Sequence, residues 1–287
     1  MDFKGIPVVT FGPGSQPEEA DGATLSYLDM PRGMDTYRLP DIPAADDIAH
    51  LGAARDTVAW LRNALRNAGT QQHAIADLGA LDPASRELVN QVLGEGEVSI
   101  TTAGALRGRT QESVLAGVWR TVYFDNQERA VADLLEVAAV PHLVDEAGHG
   151  LETVDCSSDD VPAEVMNGLP ILAELEAACA DYRREAKAHS INLTLLPLSD
   201  ADVEFLDQRL GRGPVDILSR SYGKCQVTST AVANVWWVRY YNAMNTLILN
   251  TLEVTKVPSV VAAAPEDLRD SAVRLEDIIE TYLEDVG

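Results

Sequence analysis

Between His142 and Cys156 the chain gathers His142, Asp145, Glu146, His149, Glu152, Asp155 and Cys156. Imidazole, carboxylate and thiolate are the donors of a transition-metal or iron–sulfur site. Their spacing matches no helix-borne pair such as H-E-x-x-H, and an acidic run before Pro162 serves equally well as a loop leading into a helix N-terminus. A second chemistry is offered by Cys225, which directly follows Lys224: a neighbouring ammonium lowers a thiol pKa and creates a reactive or cluster-transferring thiolate. Cys225 has no histidine near it in sequence, and a buried, inert cysteine is the commoner case. A third set, Arg220, Tyr222, Lys224, Trp237 and Arg239, is of the types that anchor protein interfaces. Burial of Trp237 under a helix is the competing reading.

Catalytic signatures are missing. Gly94-x-Gly96 and Gly211-x-Gly213 follow helices instead of bridging a strand to one, so they read as turn glycines and not as a dinucleotide loop. The sequence contains no Walker motif, G-x-S-x-G or Ser/His/Asp set, and its carboxylates are too many to single out a pair. The expectation is a protein that is not an enzyme.

Composition narrows the partners. With 287 residues and 46% hydrophobic content the chain can bury a sizeable core, and its formal charge of −23 supplies no field for nucleic acid. A basic partner is favoured by that balance. Cys156, Cys179 and Cys225 are odd in number and widely spaced, which fits a reducing compartment. The start, MDFKGIPVV, has no basic region followed by a long apolar run, and no stretch of about 18 apolar residues occurs. A cytoplasmic protein without membrane insertion is expected.

The elements that position these residues follow from an internal repeat. Leu81–Val144 lies over Leu198–Val261 without a gap, at the interval from Trp119 to Trp236, with about 30% identity where composition alone gives roughly 6%. Ile100/Ile217, Trp119/Trp236, Tyr123/Tyr240, Glu136/Glu253 and Pro141/Pro258 are among the matched pairs. Each unit reads as helix, strand, short helix and a three-stranded antiparallel meander, closed by a helix from Pro265, an α+β fold. Residues 44–160 form the first unit and 161–287 the second. Ahead of them, residues 1–43 are rich in Pro and Gly and read as an extended arm, ordered in large part because of its many apolar residues.

Within the units, apolar residues at helical spacing run from Ala44 to Gly69, Asp82 and Ser199 are N-cap signals, and Gly94 and Gly211 are stop signals. Strands are expected at His73–Leu81, Glu97–Thr102, Ser113–Phe124 and Arg129–Val140. Their counterparts are Ser190–Leu198, Val215–Leu218, Thr230–Tyr241 and Thr246–Val257, with turns at Asp125–Gln127 and Asn242–Asn245. The first unit carries about 14 extra residues before Val161, by comparison of the two repeat intervals.

The runs Ile217–Val254, Gly12–Glu19 (GPGSQPEE), Met30–Met34 (MPRGM) and Leu88–Ile100 (LVNQVLGEGEVSI) closely resemble the HupH/HyaF/HoxQ family of hydrogenase expression and formation proteins. The resemblance covers nearly the whole chain. It implies an accessory role in maturing an uptake nickel–iron hydrogenase, with the iron–sulfur small-subunit precursor and other maturation proteins as partners. No cofactor is then expected in the isolated protein. Handling of a metal or iron–sulfur cluster through Cys225 with Cys156, His142 or His149 is the alternative. The oligomeric state stays open.

Overall fold

The computed structural model describes residues 50–68, 73–104, 107–220 and 223–282; the arm expected over residues 1–43 lies outside them. The first half runs α1 (Gly52–Arg66), β1 (Ala74–Asp77), α2 (Pro83–Leu93), β2 (Val98–Thr102), β3 (Arg107–Glu112), β4 (Val118–Phe124) and β5 (Ala130–Val137). The second runs α3 (Gly168–Glu185), β6 (His189–Asn192), α4 (Asp200–Leu210), β7 (Arg212–Ser219), β8 (Lys224–Thr230), β9 (Val235–Tyr241) and β10 (Leu247–Val254). Helix α5 (Pro265–Tyr282) follows. The α+β class is as expected.

The meander has four strands in each half, not three. Strand β3, RGRTQE, is polar and nearly free of β-branched residues, so its sequence reads as loop; it is a strand because β2 and β4 pair with it on both sides. Residues 113–117, expected as strand, form a tight turn instead. There Ser113 Oγ donates to the Leu115 carbonyl at 2.9 Å, and Gly117 sits at φ 76°. The strand expected over Ser190–Leu198 stops at Asn192, whose side chain accepts from Thr194 N at 3.0 Å and turns the chain into a short 3₁₀ segment.

The short helices start as the caps dictate. Asp82 Oδ1 accepts from Ala84 N and Ser85 N, each at 3.0 Å, and Ser199 with Asp202 forms a reciprocal capping box. Both end at a glycine with positive φ, 55° at Gly94 and 60° at Gly211. Gly96 and Gly213 do a different job from turn residues. A Cβ there would come within 2.2 Å of the backbone oxygens of Ser113 and Thr230, so only glycine admits the neighbouring chain.

The ten strands form one antiparallel sheet in the order β1-β5-β4-β3-β2-β7-β8-β9-β10-β6. Its centre is the β2–β7 pair, in which Ile100 stands opposite Ile217, the two residues that the sequence interval aligns. Hydrogen bonds recur at the same interval. Trp119 Nε1 donates to the Ala138 carbonyl at 2.9 Å, and Trp236 Nε1 to that of Thr255 at 3.0 Å. Likewise Val114 N donates to Leu93 O and Ala231 N to Leu210 O, both binding a short helix to the meander.

Alternation along the strands divides the core between the two faces. On one, Val118, Leu135 and Val137 pack under α1, α2 and α5, while Val235, Trp237, Leu252 and Val254 pack under α3 and α4. On the other, Trp119, Trp236, Ile100, Ile217, Val227 and Val238 are covered by the 3₁₀ segment His142–Gly148 and by residues up to Val261.

A half-buried acid, Glu112, sits at the turn before β4. Glu112 accepts a hydrogen bond from Gly117 N at 3.3 Å, and burial, with Glu97 and Asp267 nearby, pushes its pKa up to about 7. A raised carboxyl binds its proton more tightly folded than unfolded, so its ionisation costs stability increasingly from about pH 4.5 upward and fully above about 7. Glu112→Gln is therefore expected to stabilise the protein by about 1–3 kcal/mol at pH 8 and by almost nothing at pH 4. Urea titrations at the two pH values check this, and equal gains at both would refute it.

Candidate partner-binding site

The second-half set converges on the outer end of β8, β9 and β10. In this register Lys224 stands opposite Tyr241 and Gln226 opposite Arg239, while Arg239 faces Asn250 on the other side. Alternation puts Lys224, Gln226, Trp237, Arg239, Tyr241 and Asn250 on the helix-bearing face. The Arg239 guanidinium lies 4.2 Å from the Trp237 ring centroid and the Lys224 ammonium 5.2 Å from that of Tyr241. Both are cation–π contacts.

Trp237 is 3% exposed and its Nε1 donates to Asn250 Oδ1 at 2.5 Å. It is therefore a buried support and not itself a partner contact, which corrects its sequence-based assignment. What solvent meets is the half-buried Arg239 above it, the exposed Lys224 and the exposed Arg220, whose backbone N–H is tied to Glu97 O at 3.0 Å. Tyr222 lies outside the described residues. Burial pulls the Arg239 pKa down, with Tyr241 and Asp207 opposing, and neither cation has a carboxylate ion-pair partner among the described residues.

Cys225 does not share this face. Adjacent strand residues point to opposite sides, so the Lys224 charge is directed away from the thiol, which is 5% exposed in the Trp236 core. Burial pushes its pKa up to about 11, and its side-chain partner is Tyr240. Of the two readings that the sequence left for Cys225, this placement supports the buried, inert one. Cys179 is also buried and pushed up to about 11, whereas Cys156 is exposed. Under native conditions an alkylating reagent is expected to modify Cys156 first, with Cys225 and Cys179 slower by at least an order of magnitude until the chain is unfolded. Equal rates in peptide mapping would overturn this.

The donors of the first-half insertion are engaged locally. His142 Nδ1 lies 3.2 Å from Asp145, which also meets Lys256 at 2.9 Å; His149 lies 3.9 Å from Glu146. Asp155, the Ser157 hydroxyl and the Asp159 carbonyl hold the Arg209 guanidinium. Among the described residues no three His, Cys, Asp or Glu side chains are grouped to hold a metal ion. Cys156 and His149 therefore do not join Cys225 in such a group.

A buried network went unassigned in the sequence. Glu136 is 0% exposed; Thr121 Oγ1 donates to its Oε1 at 2.5 Å, and His73 Nε2 and His142 N–H lie 2.8 and 2.9 Å from Oε2. Thr110 Oγ1 completes the chain, 2.9 Å from Thr121 Oγ1. Burial alone would raise the Glu136 pKa, but its hydrogen bonds from His73, Thr121 and His142 hold it below the usual value. At the matching position Glu253 has the Thr251 hydroxyl at 3.3 Å, and burial leaves its pKa raised.

Comparison with known proteins places this chain. The family described as "HupH hydrogenase expression protein, C-terminal conserved region" matches residues 53–155 and 165–282. The chain belongs to this family. It is 43% identical over 282 residues to "Hydrogenase expression/formation protein HoxQ" of Cupriavidus necator, covering 98% of each chain. To "Hydrogenase expression/formation protein HupH" of Rhizobium leguminosarum bv. viciae it is 47% identical over 199 residues, 69% of this chain and 70% of that one. A solved structure titled "Hydrogenase expression protein HupH from Thiobacillus denitrificans" matches at 30% identity with a TM-score of 0.37, over 40% of this chain and 94% of that one. HupH-family membership agrees with the resemblance carried by Ile217–Val254 and the motifs around it. Among the described residues no helix is long and apolar enough to cross a membrane.

Proposed function

We propose that this protein is a non-catalytic accessory factor in the maturation of an uptake nickel–iron hydrogenase, a cytoplasmic chaperone that holds the iron–sulfur small-subunit precursor. The observation that carries the reading is the likeness, along 98% of both chains, to a protein named for hydrogenase expression and formation. The Lys224/Arg239 surface, with Arg220 beside it, is the proposed contact. We further read the chain as two copies of one unit, residues 44–160 and 161–287, a reading supported by the Ile100–Ile217 pairing and the recurrent tryptophan hydrogen bonds. Burial of Cys225 on the face away from Lys224 argues against the cluster-handling alternative.

The test is anaerobic co-purification of the tagged protein from cells expressing the hydrogenase operon, with partners identified by mass spectrometry and metal measured on the same sample. Stoichiometric small-subunit precursor is expected. Metal or sulfide on the protein with no partner would overturn the chaperone reading.

A further inference from the structure

The two halves treat their outer hairpins in opposite ways. In the first half the cations are neutralised: Arg107 and Arg109 meet Glu128 at 2.6 and 3.8 Å, Arg120 meets Asp133 at 2.7 Å, and Arg129 meets Asp125 at 2.7 Å. At the repeat interval these three acids become Asn245, Asn250 and Asn242.

The turn geometry survives the exchange. Asp125 Oδ1 accepts from Gln127 N and Arg129 N, as Asn242 Oδ1 accepts from Met244 N and Thr246 N, and Glu128 and Asn245 share positive φ of 60° and 58°. All three acids are dropped, and with them three of the four arginines, Arg109, Arg120 and Arg129 being matched by Gln226, Trp237 and Thr246. Cations remain, because Arg107 is matched by Lys224, and Arg239 is added where the first half has Val122. Asp207 of α4 acts on Arg239 through its charge, but no ion pair joins the two. Lys224 and Arg239 are diagonal neighbours across β8 and β9, a spacing of roughly 7–8 Å in an antiparallel pair. Around them Met244, Leu247 and Ile248, at the turn and the start of β10, are 76%, 44% and 56% exposed.

From this pair of cations, uncompensated among the described residues, backed by Trp237 and Tyr241 and edged by apolar side chains, we infer that the face docks an acidic segment of a partner protein, its carboxylates on Lys224 and Arg239. The inference deepens the proposed contact surface and rests on it. It also refines the expectation from net charge. The −23 balance favours a basic partner at long range, but at physiological salt charges beyond about 8 Å are largely screened and the local cations decide what docks. A planar guanidinium preset on an indole is suited to bidentate carboxylate binding.

The experiment uses the full chain and fluorescence anisotropy at physiological ionic strength, with a short labelled peptide alternating Glu with Leu as probe. Its Gln analogue and a labelled oligothymidylate are the comparisons. Saturable binding of the Glu peptide alone is expected, weakened at least about fivefold by Lys224→Gln and again by Arg239→Gln. Arg107→Gln, on the neutralised hairpin, should leave it unchanged. Lys224 is exposed, so its variant tests the site even if Arg239→Gln perturbs packing. No binding of the Glu peptide, equal binding by the variants, or preference for the oligothymidylate would overturn the inference. Precursor capture by Lys224→Gln at the wild-type level would also sink it while leaving the chaperone reading intact. Loss of capture by the wild type itself would count against that reading instead.

Discussion

Glu136→Ala is expected to destabilise the protein by about 3–5 kcal/mol, because it strips the acceptor from a buried, charged network and leaves its donors unpaired. Thr121 Oγ1, His73 Nε2 and the His142 N–H all converge on this carboxylate, and Thr121 and Glu136 are themselves fully buried. Since unfolding of a domain costs about 5–15 kcal/mol in total, the loss is a large fraction of the fold's margin and should lower Tm by roughly 10 °C. Glu136→Gln keeps the shape but presents an amide N–H₂ to one of these donors, so a smaller loss of about 1–3 kcal/mol is expected.

The pH dependence supplies the sign. A carboxyl held below its ordinary pKa binds its proton less tightly folded than unfolded, so its contribution is complete above about pH 4.5 and disappears as pH falls through the folded value. The wild type should therefore lose stability toward acid faster than Glu136→Ala does. Urea midpoints at pH 7 and pH 4 measure this; parallel losses in the two proteins would show that Glu136 is not the group responsible.

This network illustrates what the sequence could convey. The acid at Glu136 was visible as one charge inside LLEVAAV, and its match to Glu253 marked the position, but nothing in the chain announced that His73, 63 residues earlier, would meet it. That contact needs β1 to pair with β5 at the sheet edge, a long-range choice. Caps, glycine stops and turn clusters were legible because their causes are local: Asp82, Ser199, Gly94, Asp125 and Asn242 all act within a few residues. Strand β3 was not, since a polar strand is recruited by its neighbours and not by its own propensity, and β8 went unread although Val227, Thr228 and Thr230 are β-branched.

The candidate site was half legible for the same reason. Lys224, Trp237 and Arg239 stood out as differences between the two aligned stretches, yet alternation on β8 separates Lys224 from Cys225, and β8 itself was a strand that sequence reasoning missed. The alignment of Asp125, Glu128 and Asp133 with Asn242, Asn245 and Asn250 was present in the sequence all along. Its meaning required knowing which arginines those acids meet.

Trp236→Ala should cost about 3–5 kcal/mol, and Trp119→Ala a similar amount. Both rings are 0% exposed, and both hold the segment that leaves the last strand of their half through an indole hydrogen bond to a backbone carbonyl. Each truncation thus opens a cavity in the core between the sheet and its covering segments and also leaves a backbone carbonyl, buried at Ala138 and half-buried at Thr255, without its donor. The surroundings differ in one respect. Trp236 and Val238 alternate along β9 on an apolar face, whereas Trp119 is followed on its face by Thr121, which is tied to Glu136. Because Glu136 also anchors His142 N–H in the covering segment, Trp119→Ala and Glu136→Ala act on the same element, and their effects should fall short of additive by 0.5 kcal/mol or more. Trp236→Ala with Glu136→Ala should add within about 0.5 kcal/mol. Double-mutant cycles by urea denaturation measure both couplings, and additivity of the Trp119 pair would show that the covering segment is held independently by each contact.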